Sequence, residues 1–281
     1  MAGVRLVTDS SCDLPQDVVD AHGITIVPLT IRFGDEELTD RVELSSEEFY
    51  RRMGTFDGLP ETAAPSPGAF EEAFRKAGAD GDAVICLTIS SALSATMASA
   101  QNAARAVEGD LDVRVIDSKS ITAGLGTQLT LAAEAAAGGA DVDEVVSVIE
   151  AAIPRTHILG GLDTLENLRK GGRIGGAQAM LGTMLSVKPV VDISTGVVEE
   201  AGKVRTRKKQ MLFLIDKLKE AGDVERLVVC DGEAPDAEEF ADLVAEVVPR
   251  ERFTRSTIGP VIGAHGGPRM IGITWLAAAT S

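Results

Sequence analysis

Apolar runs of strand length alternate along this chain with segments whose apolar positions recur at helical spacing. Four runs in the first half have the composition of strands: residues 4–8, 24–33, 83–89 and 113–116. Helical patterns occupy residues 14–22, 45–52, 66–77 and 94–107, and two further helices end near residue 153. Such alternation predicts an α/β fold with a largely parallel sheet.

The alternation continues beyond Pro154, which we interpret as a domain boundary. Strands are predicted at residues 157–162, 187–193, 227–230, 253–258 and 270–276. Helices are predicted at residues 163–170, 206–221 and 235–248, with one more directly after the glycine-rich segment 171–176. Thr195-Gly196 predicts a hairpin turn. We therefore predict two α/β domains in close contact, at residues 1–155 and 156–281.

Two helix starts carry recognisable signals. Asp13 is a candidate N-cap, with Pro15 in the first turn and Gly23 ending the helix. Ser45 and Glu48 have the spacing of a capping box, in which each side chain bonds the other residue's backbone N–H.

Composition and charge narrow the class of protein. The 281 residues have room for about two domains. A net charge of −16 argues against nucleic acid or an anionic membrane as the main partner. No apolar stretch reaches the roughly 18–20 residues of a transmembrane helix, and the N-terminus enters a strand pattern instead of a signal peptide. We expect a cytoplasmic protein without stable membrane insertion.

The usual catalytic and metal-binding motifs are missing from the sequence. The glycines of residues 171–176 lack the Gly-Lys-Ser/Thr ending of a phosphate loop, and Leu129 replaces the third glycine of a dinucleotide fingerprint. Three histidines and three scattered cysteines form no metal-ligand pattern, and we expect Cys86 and Cys230 to be buried strand thiols.

Hydroxyl side chains are concentrated where predicted strands end, at residues 8–11, 90–96 and 117–120. Ligands of open α/β sheets bind outside the carboxyl ends of strands, and a helix starting after Ser94 would direct free N–H groups there. These residues indicate a site for an anionic head group. The alternative is helix capping, which we favour for Ser90, Ser118 and Ser120, whereas for Ser94 both interpretations stay open.

The same segments resemble the DegV family of bacterial lipid-binding proteins over nearly the whole chain. The resemblance rests on ordered motifs: residues 8–15, 62–66, 90–99, 162–174, 188–189, 203–205 and 258–265. It implies a two-domain, DegV-like α/β protein that holds a long-chain fatty acid, such as palmitate or oleate, in a buried tunnel between the domains.

The resemblance also implies roles for particular residues. Thr62 and Ser94 match the positions that contact the carboxylate in the family. The chain itself would be a carrier and not an enzyme, with no catalytic residue, metal or cofactor of its own. It would present the acid to the catalytic subunit of a fatty acid kinase, which forms an acyl phosphate for phospholipid synthesis. Arg173, Arg205 and His265 match the residues that support this step.

Other interpretations of these residues stay open. Arg173 also fits charge matching at a helix C-terminus, Arg205 a solvated basic face, and His265 a core histidine bonded to backbone. A phosphotransferase-like enzyme acting on a small anion at the serine-rich strand ends is the main alternative function. A small-ligand regulator is a third.

Four departures from the family pattern concern the site. Ala95 replaces a usual glycine after Ser94, and strain would follow if that position required a positive φ. Alanines at 63 and 64 make the surroundings of Thr62 less polar. Met97 stands where an aromatic is common, and Arg269 where glycine is more usual.

Overall fold

A computed structural model describes residues 3–183 and 187–279. Its strands are β1 (Val4–Asp9), β2 (Thr25–Val27), β3 (Thr30–Phe33), β4 (Glu36–Thr39), β5 (Glu61–Ala63), β6 (Ala83–Thr88), β7 (Val113–Asp117), β8 (Thr156–Gly161), β9 (Lys188–Asp192), β10 (Glu199–Val204), β11 (Val224–Asp231), β12 (Thr254–Thr257) and β13 (Ile271–Ala277). Its helices are α1 (Gln16–His22), α2 (Ser46–Met53), α3 (Pro67–Ala77), α4 (Thr96–Ala106), α5 (Thr122–Ala137), α6 (Val142–Ala152), α7 (Glu166–Lys170), α8 (Arg207–Glu220), α9 (Ala237–Ala245) and α10 (Pro260–Gly266).

The first large sheet has the order β2-β1-β6-β7, and all its strand pairs are parallel. Alternate residues of β6 point to opposite faces, as the two-residue period of a strand requires. Ile85 and Leu87 pack with α5 and α6, while Val84 and Cys86 pack with α3 and α4. Helices therefore cover both faces, which explains why the run reads as continuously apolar.

The second large sheet has the order β10-β9-β8-β13-β11-β12. Among the described strands of this sheet, only β11 and β12 pair in parallel, so the expectation of a largely parallel sheet is wrong here. The predicted turn is confirmed, because β9 and β10 are antiparallel across Gly196, whose φ is +87°. Helices α8 and α9 cover one face of this sheet. The other face packs towards the first large sheet.

A third, small sheet was not predicted. The apolar run at residues 24–33 is split by Pro28 into β2, which joins the parallel sheet, and β3. Proline has no N–H for a ladder, and the backbone N–H of Leu29 instead donates to Ser10 Oγ at 3.1 Å. Antiparallel pairing of β3 with β4 and β5 then builds a sheet that packs with α2 and α10.

Several local predictions need correction. The N-cap of α1 is Pro15, whereas Asp13 ends a preceding 3-10 turn with φ +49°. Ser45 caps α2 through the Glu48 N–H, but the Glu48 carboxylate pairs with arginines of its own helix, so the capping box is half formed. The segment Gly175–Thr183 is a 3-10 helix and not an α-helix, and α10 was not predicted.

The two large sheets use separate stretches of sequence, residues 4–117 and 156–277. We propose that the domain boundary lies between residues 155 and 156, where α6 and a 3-10 turn lead into β8.

Candidate ligand tunnel between the two large sheets

A cavity of about 290 Å³ lies between the first large sheet and the inner face of the second. Its walls are mainly aliphatic side chains drawn from both sheets, among them Ile89, Leu93, Ile158, Leu162, Val191 and Ile193. Two glycines, Gly160 of β8 and Gly272 of β13, are paired in register and both line the cavity. The missing side chains leave open space over the centre of the sheet.

Polar side chains are gathered at one part of this apolar cavity. Thr62, Ser94, Arg173 and His265 all line it, although they come from four separate segments. Thr62 lies in β5 opposite Ile31, and His265 lies in α10. Thr62 Oγ1 and His265 Nε2 are 3.0 Å apart, which is a hydrogen bond across 203 residues of sequence.

His265 is held in a largely apolar pocket. Burial, with a smaller contribution from the Arg173 charge, lowers the pKa of His265 to about 4. The ring is therefore neutral at physiological pH. Its Nδ1 is buried, without a hydrogen-bond partner in the described residues, and faces the backbone of Gly171. A Cβ at that glycine would lie 2.5 Å from Nδ1, so the glycine permits this close packing.

Arg173 is fixed by backbone carbonyls instead of an ion pair. Its Nε donates to Leu93 O at 3.1 Å, and its Nη1 donates to Gly171 O at 2.7 Å. The second bond satisfies the carbonyl of the residue that ends α7, in line with the charge-matching interpretation. The first bond connects Arg173 to the loop that carries Ser94, and the guanidinium lies at the cavity. No carboxylate in the described residues pairs with its charge.

Ser94 lines the cavity, and its hydroxyl also caps the first N–H of α4 from the position before the N-cap residue Ala95. Its Oγ accepts the Thr96 N–H at 3.2 Å and lies 2.8 Å from Thr96 Oγ1. Ala95 has φ −76°, so the alanine in place of a glycine brings no backbone strain. Ser90 Oγ donates to the distant Gly196 O at 2.6 Å and accepts the Ala92 N–H, and Ser118 Oγ accepts the Ser120 N–H. Both serines lie in the loops before α4 and α5, so the helix-capping prediction is wrong for Ser90 and Ser118. The buried Ser120 hydroxyl makes no hydrogen bond in the described residues, so the capping prediction is wrong for Ser120.

Arg205 is not part of this cavity. It is exposed in the turn between β10 and α8 and lines no part of the tunnel. Sequence reasoning also missed Gly160, Gly272 and Thr122, which line the cavity. The two glycines could have been noticed as breaks in otherwise apolar strands.

The sequence matches one known protein family over nearly its whole length. A family model described as uncharacterised proteins of the DegV family matches residues 3–278. This chain belongs to the DegV family. A DegV domain-containing protein of Streptomyces coelicolor is 38% identical over 275 residues, which cover 96% of this chain and 97% of that protein.

Solved structures of a DegV family protein and of a further fatty-acid-binding protein have the same fold. A DegV family protein from Thermus thermophilus, described as fatty acid binding, superposes with a TM-score of 0.91 at 32% identity, covering 98% of this chain and 100% of that one. A stearic acid-binding protein from Eubacterium ventriosum gives 0.90 at 28% identity, covering 99% and 98%. The predicted DegV-like α/β fold is thus confirmed.

Membrane-spanning helices and metal sites are both absent from the part of the chain that the structure describes. No helix within residues 3–183 and 187–279 is long and apolar enough to cross a membrane. In the same ranges, no group of three or more His, Cys, Asp or Glu side chains is arranged to hold a metal ion.

Proposed function

We propose that this protein binds a long-chain fatty acid, such as palmitate or oleate, in the cavity between its two large sheets. The observation that carries this proposal is a cluster of polar side chains on a mainly aliphatic cavity. The carboxylate would lie at Thr62, Ser94, Arg173 and His265. The acyl chain would lie along the aliphatic walls and over the paired glycines. The fatty acids bound by DegV relatives support the same assignment.

The free energy of such binding would come mainly from the tail. Burying roughly fourteen CH₂ groups at about 0.8 kcal/mol each gives about 11 kcal/mol before the cost of association. The head group must replace its lost hydration, and the hydroxyls of Thr62 and Ser94 are suitable donors. Arg173 adds a charge-assisted donor. Because His265 is neutral, it would contribute a hydrogen bond and not a second positive charge.

We further propose that the protein is a carrier that presents the carboxylate to the catalytic subunit of a fatty acid kinase in the cytoplasm. Arg173 and His265 lie beside the proposed carboxylate position, where charge would develop on a phosphoryl group. Arg205 is exposed and lies outside the cavity, which suits contact with a partner protein more than contact with the bound acid.

The test begins with mass spectrometry of protein purified under native conditions, which should detect co-purified fatty acid. Gly160 then offers a graded perturbation, because a Cβ there would meet only Val191 Cγ2, at 3.6 Å. Gly160→Ala should fold and bind palmitate nearly normally. Gly160→Leu should fold but exclude palmitate, since its side chain would occupy the tunnel.

Two outcomes would contradict the proposal. One is a protein that is lipid-free as purified and also rejects added palmitate and oleate. The other is a Gly160→Leu variant that binds palmitate as well as the alanine variant does. ATP turnover by the isolated protein would contradict the carrier role and favour an enzyme.

A further inference from the structure

Thr122 has an unusual backbone conformation on the wall of the cavity. Its φ is +43°, in the left-handed region that a β-branched residue rarely adopts. The residue is 3% exposed and lines the cavity. Its Oγ1 is buried and makes no well-formed hydrogen bond in the described residues. Strained residues of this kind concentrate at ligand sites. A buried hydroxyl without a partner has also lost its hydrogen bonds to water, and no hydrogen bond in the protein replaces them.

Asp13 has its carboxyl close enough to the Thr122 hydroxyl for the two groups to interact. Its φ is +49°, and its Oδ2 is also buried without a well-formed hydrogen bond. Burial raises the pKa of Asp13 to about 7, against the smaller opposing effects of the Thr122 hydroxyl and the Gly259 N–H. Near neutral pH both protonation states are populated, so this carboxyl can accept a hydrogen bond from the Thr122 hydroxyl or donate one to it.

This pair is separated from the proposed carboxylate position. Gly259 contacts Asp13 and precedes α10, whereas His265 lies near the other end of that helix. Six residues of helix place the two ends roughly 9 Å apart. An acyl chain with its carboxylate at Thr62 and His265 would therefore pass Thr122 near the middle of its length.

We propose that Thr122, supported by Asp13, forms a second polar subsite in the tunnel that takes a hydroxyl group in the middle of an acyl chain. The inference rests on the proposed fatty-acid function. Thr122 would donate to Asp13 and accept from the ligand hydroxyl, or the reverse. A purely apolar chain offers the Thr122 hydroxyl no partner besides Asp13, whereas a hydroxy fatty acid completes the chain of hydrogen bonds.

Competition binding with the full-length protein tests this. Stearate is compared with hydroxystearates that carry the hydroxyl near mid-chain, at carbons 7 to 10, or near the methyl end, at carbon 17. We expect mid-chain hydroxystearate to bind within about threefold of stearate, and the 17-hydroxy acid to bind at least about tenfold more weakly, because its hydroxyl would be buried without a partner.

Variants at the same position supply the control. Thr122→Val keeps the shape and should lower the affinity for mid-chain hydroxystearate about tenfold relative to the affinity of the same variant for stearate. Thr122→Ser keeps the hydroxyl and should behave like the natural protein. Equal discrimination against mid-chain and terminal hydroxyls by the natural protein would overturn the inference, even if Thr122→Val fails to fold. If stearate does not bind either, the proposed function falls and this inference falls with it.

Discussion

Replacing Thr62 with valine removes one hydroxyl from the polar part of the cavity while preserving the shape of the side chain. In the ligand-free protein, the change breaks the 3.0 Å bond to His265 Nε2 and leaves that nitrogen without its partner. Both residues are half-buried, so the expected loss of folding free energy is about 0.5–1.5 kcal/mol. Valine also favours strand geometry, so β5 should persist.

The larger effect is expected on binding. A hydrogen bond to a charged group contributes about 1.5–3 kcal/mol, so Thr62→Val should weaken palmitate binding by roughly 10- to 100-fold. The measurement is isothermal titration or displacement of a fluorescent fatty acid, with urea unfolding as a parallel measure of stability. Thr254→Val is the matched control, because Thr254 is an exposed strand residue of β12 that does not line the cavity. A folded Thr62→Val protein with affinity within twofold of this control would refute the assignment of the carboxylate position.

Three further predictions concern stability and reactivity. Arg269 has φ +61° and only a half-exposed ion pair with Asp163 at 3.4 Å. Arg269→Gly should therefore raise the free energy of unfolding, measured in urea, by up to about 1 kcal/mol. A clear loss of stability would show that the ion pair outweighs the backbone strain. The pKa of Asp13 is about 7 in the folded state against 3.8 for a free carboxyl, so the folded state binds an extra proton between these pH values. The stabilisation by this proton is lost as pH rises from about 4 to 7. Asp13→Asn should reduce that loss in the free energy of unfolding measured across the range, and an unchanged pH dependence would contradict this. Burial raises the pKa of all three cysteine thiols, that of Cys12 to about 12. A thiol reagent should therefore react slowly with the native protein and should modify three thiols after unfolding. A fast-reacting thiol in the native state would disprove this.

Most strands and helices could be predicted because burial imposes a period on the sequence. The parallel sheet could be predicted from continuous apolar runs such as residues 83–89, because helices cover both of its faces. The orientation of the strands in the second sheet could not be predicted. The apolar pattern of β8, β9, β11 and β13 would be the same in a parallel and in an antiparallel sheet. Short strands such as Glu61–Ala63 contain too few buried positions to produce a pattern at all.

The site could be predicted only in part for a related reason. Hydroxyls at strand ends pointed to the region of Ser94 without any family argument. The meeting of Thr62 with His265 depends on how β5 and α10 pack, and no local signal spans 203 residues. The left-handed conformation of Thr122 could not be predicted either, because β-branched residues such as threonine favour other backbone regions.

Capping and ligand binding, which sequence reasoning weighed against each other for Ser94, are compatible in the structure. A serine hydroxyl has one proton and two lone pairs. Ser94 Oγ uses one lone pair for the Thr96 N–H, and the Thr96 hydroxyl at 2.8 Å can donate to the other. The Ser94 proton then has no acceptor within this cap and is free for a carboxylate. When Thr96 is the donor between the two hydroxyls, the cap orients Ser94 as a donor to the ligand, at the N-terminus of α4, where the helix dipole also favours a negative charge.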